Sequence, residues 1–200
     1  MSDIPLLLVA AGPSNRMGKP KQLLPWGKKT LIEHQVETML QTKQEVSVVL
    51  GASSDLISPI LKPYPVMQFV FKNWNLGMGN SIAFGVKSVL KKFPGAKGIL
   101  IALVDQPLIN KDHYENMMRL FNTEAKQIIV SKSENGWIGP PVLFDRYYFK
   151  DLEQLHGEEG AKPIITTHKN SVITIDAGVS LNDIDTQEAY EKLLKSTNFQ

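Results

Sequence analysis

The sequence predicts a three-layer α/β/α fold around a mostly parallel sheet, and two observations support this prediction. The chain contains a series of short, almost entirely apolar runs that are typical of buried strands, and helical patterns lie between most of these runs. These runs occupy residues 6–9, 46–50, 66–71, 99–104, 128–130 and 172–175. Strands of this kind that alternate with amphipathic helices form a parallel sheet covered on both faces.

The helices are predicted by apolar residues that recur on one helical face. Three such sets are Ile32, Val36, Met39 and Leu40; Ile82, Val86, Val89 and Phe93; and Ala189, Tyr190, Leu193 and Leu194. Parallel, Rossmann-like sheets bind ligands beyond the carboxyl ends of their strands, so the turns after Val9 and Val104 are expected to open on the same side. A chain of 200 residues with 42% hydrophobic content predicts a single domain over residues 1–200.

Composition restricts the classes of partner. The net charge of +2 predicts neither a nucleic-acid nor a membrane footprint, so an anionic ligand must be met by local charge. The absence of cysteine excludes disulfides, thiolate zinc sites and thiol nucleophiles, and the four histidines lack a metal-ligand spacing. The sequence shows neither a leader pattern nor an apolar stretch of membrane-spanning length, which predicts a cytoplasmic protein.

The turn after the first apolar run concentrates positive charge among small residues. From Ala10 to Lys21 it reads Ala-Ala-Gly-Pro-Ser-Asn-Arg-Met-Gly-Lys-Pro-Lys. The glycines allow a tight turn whose amides face a ligand, and Arg16, Lys19 and Lys21 add charge beside those amides. This combination predicts a phosphate-binding loop, with an ordinary connection bearing solvated lysines as the alternative.

This loop is not a Walker loop. Gly12 and Gly18 are separated by five residues, whereas a Walker loop has four between its glycines. Lys19 is followed by proline, where a Walker loop requires serine or threonine. The sequence therefore predicts a nucleotide site of another design.

A second glycine-bearing loop precedes a predicted helix at residues 77–81, which read Gly-Met-Gly-Asn-Ser. It lacks the third glycine or alanine of a dinucleotide fingerprint. Its amides and Ser81 suit a contact with a base or a ribose, and the alternative is that Asn80 or Ser81 only caps the helix.

Three aspartates are candidate metal ligands. Asp105 directly follows the apolar run at 99–104, and Asp183 and Asp185 precede the last helix. Carboxylates that converge on a triphosphate would hold Mg²⁺, which prefers hard oxygen ligands, water and phosphate. The alternatives are that Asp105 caps its turn and that Asp185, with Glu188, caps the last helix.

The chain resembles a known family in several ordered blocks. Val9 to Pro25 is similar to the signature of the MobA-like nucleotidyltransferases, and especially to that of their molybdenum cofactor cytidylyltransferase branch. Later blocks that look like those of the family lie at 77–81, 103–107, 139–141, 157–162 and 183–186. The resemblance covers nearly the full chain and implies a GT-A-like nucleotidyltransferase fold.

The resemblance also implies an activity. The reaction would be Mg²⁺-dependent transfer of a nucleoside monophosphate, above all CMP from CTP, to a phosphorylated acceptor such as molybdopterin, with release of pyrophosphate. A molybdoenzyme or a chaperone is an implied partner. The candidate site residues are Arg16, Lys21 and Asp105 for catalysis, Ala10, Ala11, Gly12, Ser14, Gly77 and Ser81 for the nucleotide, and Asp105 and Asp185 for the metal.

Two acceptor-side blocks depart from the family pattern. Pro140 stands where many of these cytidylyltransferases have histidine, and Lys162 stands where they have arginine. Lysine does not reproduce a bidentate arginine contact. The acceptor therefore stays open between molybdopterin and a sugar phosphate or another phosphorylated small molecule, and a nucleotide-binding module without catalysis is a further alternative.

Overall fold

A seven-stranded sheet lies at the centre of the computed structural model, which describes residues 3–13, 18–123 and 125–197. The strands in the described residues are β1 (Leu6–Ala10), β2 (Pro25–Trp26), β3 (Lys29–Thr30), β4 (Val46–Leu50), β5 (Met67–Val70), β6 (Gly98–Leu103), β7 (Ile128–Lys132), β8 (Ile138–Asp145) and β9 (Val172–Asp176). The central sheet has the order β5-β4-β1-β6-β8-β7-β9, and β2 and β3 form a separate hairpin.

Helices cover both faces of this sheet. They are α1 (Leu31–Leu40), α2 (Ser54–Leu61), α3 (Met78–Lys92), α4 (Lys111–Leu120), α5 (Phe149–Glu153), α6 (Lys162–Thr167) and α7 (Gln187–Ser196). Residues of α1, α2 and α4 belong to one apolar cluster, and residues of α3, α5 and α6 belong to another. The predicted three-layer α/β/α fold is confirmed.

Strand β1 shows why the strands have continuous apolar sequences. Successive side chains of a strand point to opposite faces of a sheet. Leu6 and Leu8 pack in the cluster with α1, α2 and α4, whereas Leu7 and Val9 pack in the cluster with α3, α5 and α6. Every residue of β1 is buried, so the strand has no polar face.

Strand direction brings the predicted turns together. All neighbouring pairs in the central sheet are parallel except those of β8, which is antiparallel to β6 and β7. The carboxyl ends of β1 and β6 therefore meet at one edge, where the Val104 N–H donates to the Val9 carbonyl at 3.3 Å. This confirms that the two turns open on the same side, and we call this side the carboxyl edge.

Strand β8 is the main element that the sequence did not predict. Proline donates no backbone hydrogen bond, so Pro140 and Pro141 argue against a strand that is central in a sheet. In the structure they lie next to the register shift between Val130 and Ser131 of β7, and pairing with β6 reaches only as far as Val142.

The other predicted elements agree with the structure. Each of the six predicted apolar runs overlaps a strand, and the three apolar sets lie on α1, α3 and α7, with Phe93 one residue beyond α3. None of the helices in the described segments has the length and apolar character that a membrane crossing needs.

Candidate active site

A cavity of about 670 Å³ opens at the carboxyl edge of the sheet. Of the ten candidate site residues, Ser14 and Arg16 lie outside the described residues. The other eight all line this cavity: Ala10, Ala11, Gly12, Lys21, Gly77, Ser81, Asp105 and Asp185. The first loop, the second loop and the candidate metal ligands thus face the same space.

Lys21 is the centre of a charged cluster in this cavity. Its ammonium nitrogen Nζ donates to Asp105 Oδ2 at 2.8 Å and to Asp185 Oδ1 at 3.1 Å. The side chains of Lys21 and Asp105 are largely buried, and that of Asp185 is half exposed. The lysine predicted to bind phosphate and the carboxylates predicted to bind metal therefore form one group, the charged cluster.

The charged cluster keeps Lys21 ionised. Burial alone lowers the pKa of Lys21, but the carboxylates of Asp105 and Asp185 outweigh burial, so its pKa is raised above the usual value. The pKa of Asp183 is raised to about 6, chiefly by burial and further by the charges of Asp105 and Asp185.

The cavity lining distinguishes Asp185 from Asp183. Because Asp185 lines the cavity and Asp183 is absent from its lining, the geometry favours Asp185 as the second metal ligand.

Helix α1 fixes the turn that carries Asp105. Gln35 Nε2 donates to the Gln106 carbonyl at 2.7 Å, and His34 Nε2 donates to the Pro107 carbonyl at 2.9 Å. A carbonyl only accepts, so the Nε2 atom of His34 carries the proton in this contact. The turn is held by α1, and the Asp105 carboxylate joins the charged cluster instead of capping the turn.

The segment before α7 brings Asp185 to the cavity. Ile184 is buried, and its N–H donates to the Asp105 carbonyl at 2.8 Å. Helix α7 is capped by Thr186, whose Oγ1 accepts from the Ala189 N–H at 3.1 Å. The helix-capping alternative for Asp185 is therefore wrong, because Thr186 caps α7 and the Asp185 carboxylate pairs with the Lys21 ammonium.

Gln22 is a site residue that the sequence analysis missed. Its side chain is fully buried, and its Nε2 donates to the Ala10 carbonyl at 2.9 Å and to the Gly12 carbonyl at 3.0 Å. It lies in the 3₁₀ turn Lys21–Leu23, directly after the lysine of the charged cluster. One side chain thus fixes the carbonyls of the first loop. The sequence signal was weak, because the contact joins residues 10 to 12 positions apart across a loop.

The second loop is held by the turn before α6. The Gly79 N–H donates to the Gly157 carbonyl at 2.8 Å, and the Gly157 N–H donates to Asn80 Oδ1 at 2.9 Å. The hydroxyl of Ser81 is buried and donates to the Gly77 carbonyl at 3.3 Å. No side chain of the described residues caps α3, so the capping alternative for Asn80 and Ser81 is wrong.

The charges that line the cavity are mostly negative. Among the described lining residues, Lys21 is the cation, and Asp105, Glu158 and Asp185 are carboxylates. Lys19 is exposed and does not line the cavity. A triphosphate therefore needs further positive charge to enter this space.

The residues fit a divalent cation of the Mg²⁺ type. The Lys21 ammonium shows that Asp105 and Asp185 converge on one cation, with oxygen atoms 2.8 and 3.1 Å from its nitrogen. Asp105 Oδ1 is buried and accepts no hydrogen bond from the described residues. Among the described residues, no group of three or more His, Cys, Asp or Glu side chains is arranged to hold a metal.

A second cavity, of about 750 Å³, is lined by Pro107 and by residues of β2, β3 and α1. Its lining includes Lys28, Lys29 and Lys111 but none of the eight described candidate residues. The Lys29 ammonium pairs with Glu37, and Lys111 pairs with Glu115 at 3.2 Å. The eight described candidate residues therefore line the first cavity and not the second.

Comparison with known proteins relates this site to a family. The purine catabolism protein PucB of Bacillus subtilis (strain 168) is 29% identical over 202 residues, which span 95% of each protein. Nicotine blue oxidoreductase of Paenarthrobacter nicotinovorans is 40% identical over 113 residues, which span 53% of this chain and 52% of that protein.

Solved structures share the fold over nearly the whole chain. Rv0371c from Mycobacterium tuberculosis H37Rv superposes with a TM-score of 0.86 at 26% identity, covering 97% of this chain and 98% of that chain. A complex of Rv0371c with manganese superposes with a TM-score of 0.80 at 24% identity, covering 97% and 99%. The predicted GT-A-like nucleotidyltransferase fold is thereby confirmed.

The family model for the MobA-like NTP transferase domain matches residues 6–172. This range runs from β1 through the start of β9, and it contains both glycine loops, Lys21 and Asp105. Because the match covers well over half of the sequence, the chain belongs to the MobA-like NTP transferase domain family.

Proposed function

We propose that this protein is a Mg²⁺-dependent cytidylyltransferase that transfers CMP from CTP to molybdopterin and releases pyrophosphate. The observation that carries the proposal is the charged cluster, in which Lys21, Asp105 and Asp185 converge within a cavity between two glycine loops. Support for CTP and molybdopterin comes from the resemblance of residues 9–25 to the cofactor cytidylyltransferases.

The reaction needs positioning and charge neutralisation more than covalent help from the protein. A phosphate oxygen of the acceptor attacks the α-phosphorus of the nucleotide, a new P–O bond forms, and the bond to the pyrophosphate oxygen breaks. An acceptor phosphate is already ionised, so no general base is required. This agrees with the cavity lining, which includes none of the four histidines, all of which lie in the described residues.

Each residue of the charged cluster has a proposed role. Asp105 and Asp185 would hold Mg²⁺, and Lys21, with Arg16, would offset charge on the departing pyrophosphate. When bound, the cation would neutralise charge on the phosphate oxygens. Rv0371c has been solved as a complex with manganese, which supports a divalent metal ion as the cofactor of this protein.

We also propose a second acceptor class, a sugar phosphate or another phosphorylated small molecule, because two acceptor-side blocks depart from the family pattern. Lys162 is exposed at the start of α6 and does not line the cavity, and lysine does not reproduce a bidentate arginine contact. Pro140 stands within β8, in place of a histidine. We therefore carry both acceptor classes into the experiment.

Three further parts of the proposal rest on the sequence. Residues 1–200 would form one nucleotidyltransferase domain. The reaction would take place in the cytoplasm. A molybdoenzyme or its chaperone would receive the finished cofactor.

The test is pyrophosphate release by the purified protein with Mg²⁺ or Mn²⁺. Each of the four NTPs is supplied with molybdopterin, with sugar phosphates and without acceptor. We expect release with CTP only when molybdopterin is present. Release with a sugar phosphate alone would support the second acceptor class, and failure to bind any NTP would contradict the enzyme proposal.

Asp105→Asn tests the metal role in the same assay. The amide keeps the size of the side chain but loses the charge, so we expect turnover to fall by at least about 100-fold, the usual scale for one lost electrostatic contact in a transition state. Asp112→Asn, on the exposed start of α4, is the matched control and should keep full activity. Full activity of Asp105→Asn would remove Asp105 from the metal site.

A further inference from the structure

We propose that Glu158 selects the base of the nucleotide, by accepting a hydrogen bond from an exocyclic amino group such as that of cytosine, and thereby discriminates against uracil. This inference rests on the proposed function, because it requires an NTP in the cavity. It assigns a specificity-determining role to a residue outside the ten candidate site residues.

The turn that carries Glu158 is fixed against the start of α3. Two hydrogen bonds join Gly157 to the second loop, from the Gly79 N–H at 2.8 Å and to Asn80 Oδ1 at 2.9 Å. The backbones are also in close contact: a Cβ on Gly77 would lie 2.4 Å from the Gly157 carbonyl oxygen, and one on Gly79 would lie 2.5 Å from that of His156. The position of Glu158 is thus set by the nucleotide loop itself.

The side chain of Glu158 forms part of the cavity wall. Its Cδ lies 3.1 Å from the position that a Cβ on Gly77 would take, and the residue lines the same cavity as Ala11 and Ser81. None of the hydrogen bonds or ion pairs among the described residues involves this carboxylate. The residue is exposed and lines the cavity, so its carboxylate is open to solvent on the cavity side.

The chemistry of a carboxylate limits the part of the nucleotide that it faces. An ionised carboxylate only accepts hydrogen bonds, and it repels phosphate. The triphosphate belongs with Lys21 in the charged cluster, so we place Glu158 against a neutral part that donates, and the candidates are an exocyclic amino group of the base and a ribose hydroxyl. The 4-amino group of cytosine donates, whereas the 4-oxygen of uracil only accepts and would be left against a negative charge.

The resemblance alone would not have placed Glu158 here. Residues 157–162 look like an acceptor-side block of the family. In the structure, Gly157 and Glu158 contact Gly77 and Gly79 of the second glycine loop. That loop and the first loop, residues 10–12, are the nucleotide-binding elements of the proposal, so the contact puts Glu158 on the nucleotide side of the cavity.

The experiment is equilibrium binding of CTP, UTP and dCTP in Mg²⁺, measured by titration calorimetry without acceptor. Glu158→Gln replaces the carboxylate with an amide that can also donate, and Glu158→Ala removes it. Glu159→Gln is the matched control, because Glu159 is exposed, as Glu158 is, but does not line the cavity. Melting temperatures equal to that of the unsubstituted protein establish that the variants fold.

We expect the unsubstituted protein and Glu159→Gln to prefer CTP over UTP. Glu158→Gln and Glu158→Ala should reduce that preference by roughly 10- to 100-fold, the scale of one hydrogen bond to a charged group. An unchanged ratio of CTP to UTP affinity would overturn the inference, and so would a change confined to the ratio of CTP to dCTP, which would indicate a ribose contact. Binding of CTP with an unchanged ratio refutes only this inference, whereas failure of the unsubstituted protein to bind any NTP refutes the proposed function as well.

Discussion

At the scale of single residues, Lys21 neutralises two carboxylates that lie 84 and 164 positions away along the chain. Removing its charge would leave Asp105 and Asp185 facing each other beside Asp183, whose pKa is already raised to about 6 by burial and by these two charges. The cluster therefore requires a cation at this point, and the choice is between the lysine ammonium and a metal ion.

Lys21→Met tests this requirement. The variant should lose at least about 100-fold in turnover, because charge on the departing pyrophosphate is no longer offset. In metal-free buffer it should also melt at a lower temperature than the unsubstituted protein. Mg²⁺ should raise the melting temperature of Lys21→Met more than it raises that of the unsubstituted protein. Lys28→Met, in the exposed turn between β2 and β3, is the control. An equal response of both variants to Mg²⁺ would contradict a shared cation position.

Gln22 acts on the first loop through two carbonyl groups. Gln22→Met keeps the volume of the side chain but removes both donors to Ala10 and Gly12. We expect a loss of about 1–3 kcal/mol in the free energy of unfolding, the cost of leaving buried acceptors unpaired. We also expect KM for the NTP to rise more than kcat falls, since the residue positions the loop. Chemical denaturation measures the change in stability, and steady-state kinetics measures KM and kcat. Gln154→Met, on the exposed surface, is the control for both. A change in kcat alone would show that Gln22 does not act by positioning the loop.

At the scale of elements, the contact between α3 and the turn at residues 156–158 forms one wall of the cavity. Alanine at position 79 would place its Cβ 2.5 Å from the carbonyl oxygen of His156 and 2.8 Å from its carbonyl carbon. Both are backbone atoms, so the turn must move to make room. Movement of this turn would also displace Glu158.

Gly79→Ala should therefore destabilise the protein by about 1–3 kcal/mol, as overpacking does elsewhere. The direction is informative because helix propensity alone would give about 1 kcal/mol of stabilisation. Gly95→Ala, where a Cβ meets nothing within 4 Å, is the control and should change stability by less than about 0.5 kcal/mol. Urea denaturation measures both variants, and a Gly79→Ala protein as stable as Gly95→Ala would show that the turn adapts freely.

The elements also show what the sequence can and cannot predict. Helix α1 and strand β1 were predictable because burial imposes a helical period on one and a continuous apolar run on the other. Strand β8 was not, because Pro140 and Pro141 contradict local strand rules and are accommodated only by a register shift against β7. A local sequence pattern indicates whether a segment is buried. It does not indicate which neighbouring strand can pair with an irregular segment such as Pro140 and Pro141.

At the scale of the whole molecule, some site residues could be predicted from the local sequence, whereas others depend on contacts between distant segments. The positions of Asp105 and Asp185 in the cavity were predictable because each stands next to a recognisable element, β6 or α7, and the topology brings those ends to the carboxyl edge. Gln22 and Glu158 were not, because their positions depend on contacts with the two glycine loops that no pattern in their own neighbourhood reveals. The pairing of Lys21 with the carboxylates was likewise visible only after folding.

The charge of the cavity predicts how nucleotide and metal affect the stability of the whole protein. CTP alone would bring several negative charges towards three carboxylates and one lysine among the described lining residues, so it should bind weakly. Ligand that binds only the native state at 100 times its Kd adds about 2.7 kcal/mol to the free energy of unfolding. For a protein of this size each 1 kcal/mol raises the melting temperature by about 2–4 °C, so CTP with Mg²⁺ at that saturation should raise it by roughly 5–10 °C.

We expect the combined shift to exceed the sum of the shifts from CTP in EDTA and from Mg²⁺ alone, because each ligand supplies the charge that the other lacks. Thermal melts followed by circular dichroism with the four combinations of CTP and Mg²⁺ measure this coupling. Asp105→Asn should abolish the excess, since the amide no longer attracts the cation, while Asp112→Asn should preserve it. A shift with CTP in EDTA as large as that with CTP and Mg²⁺ would mean that basic residues outside the described lining neutralise the triphosphate, and that the carboxylates of the charged cluster serve another purpose.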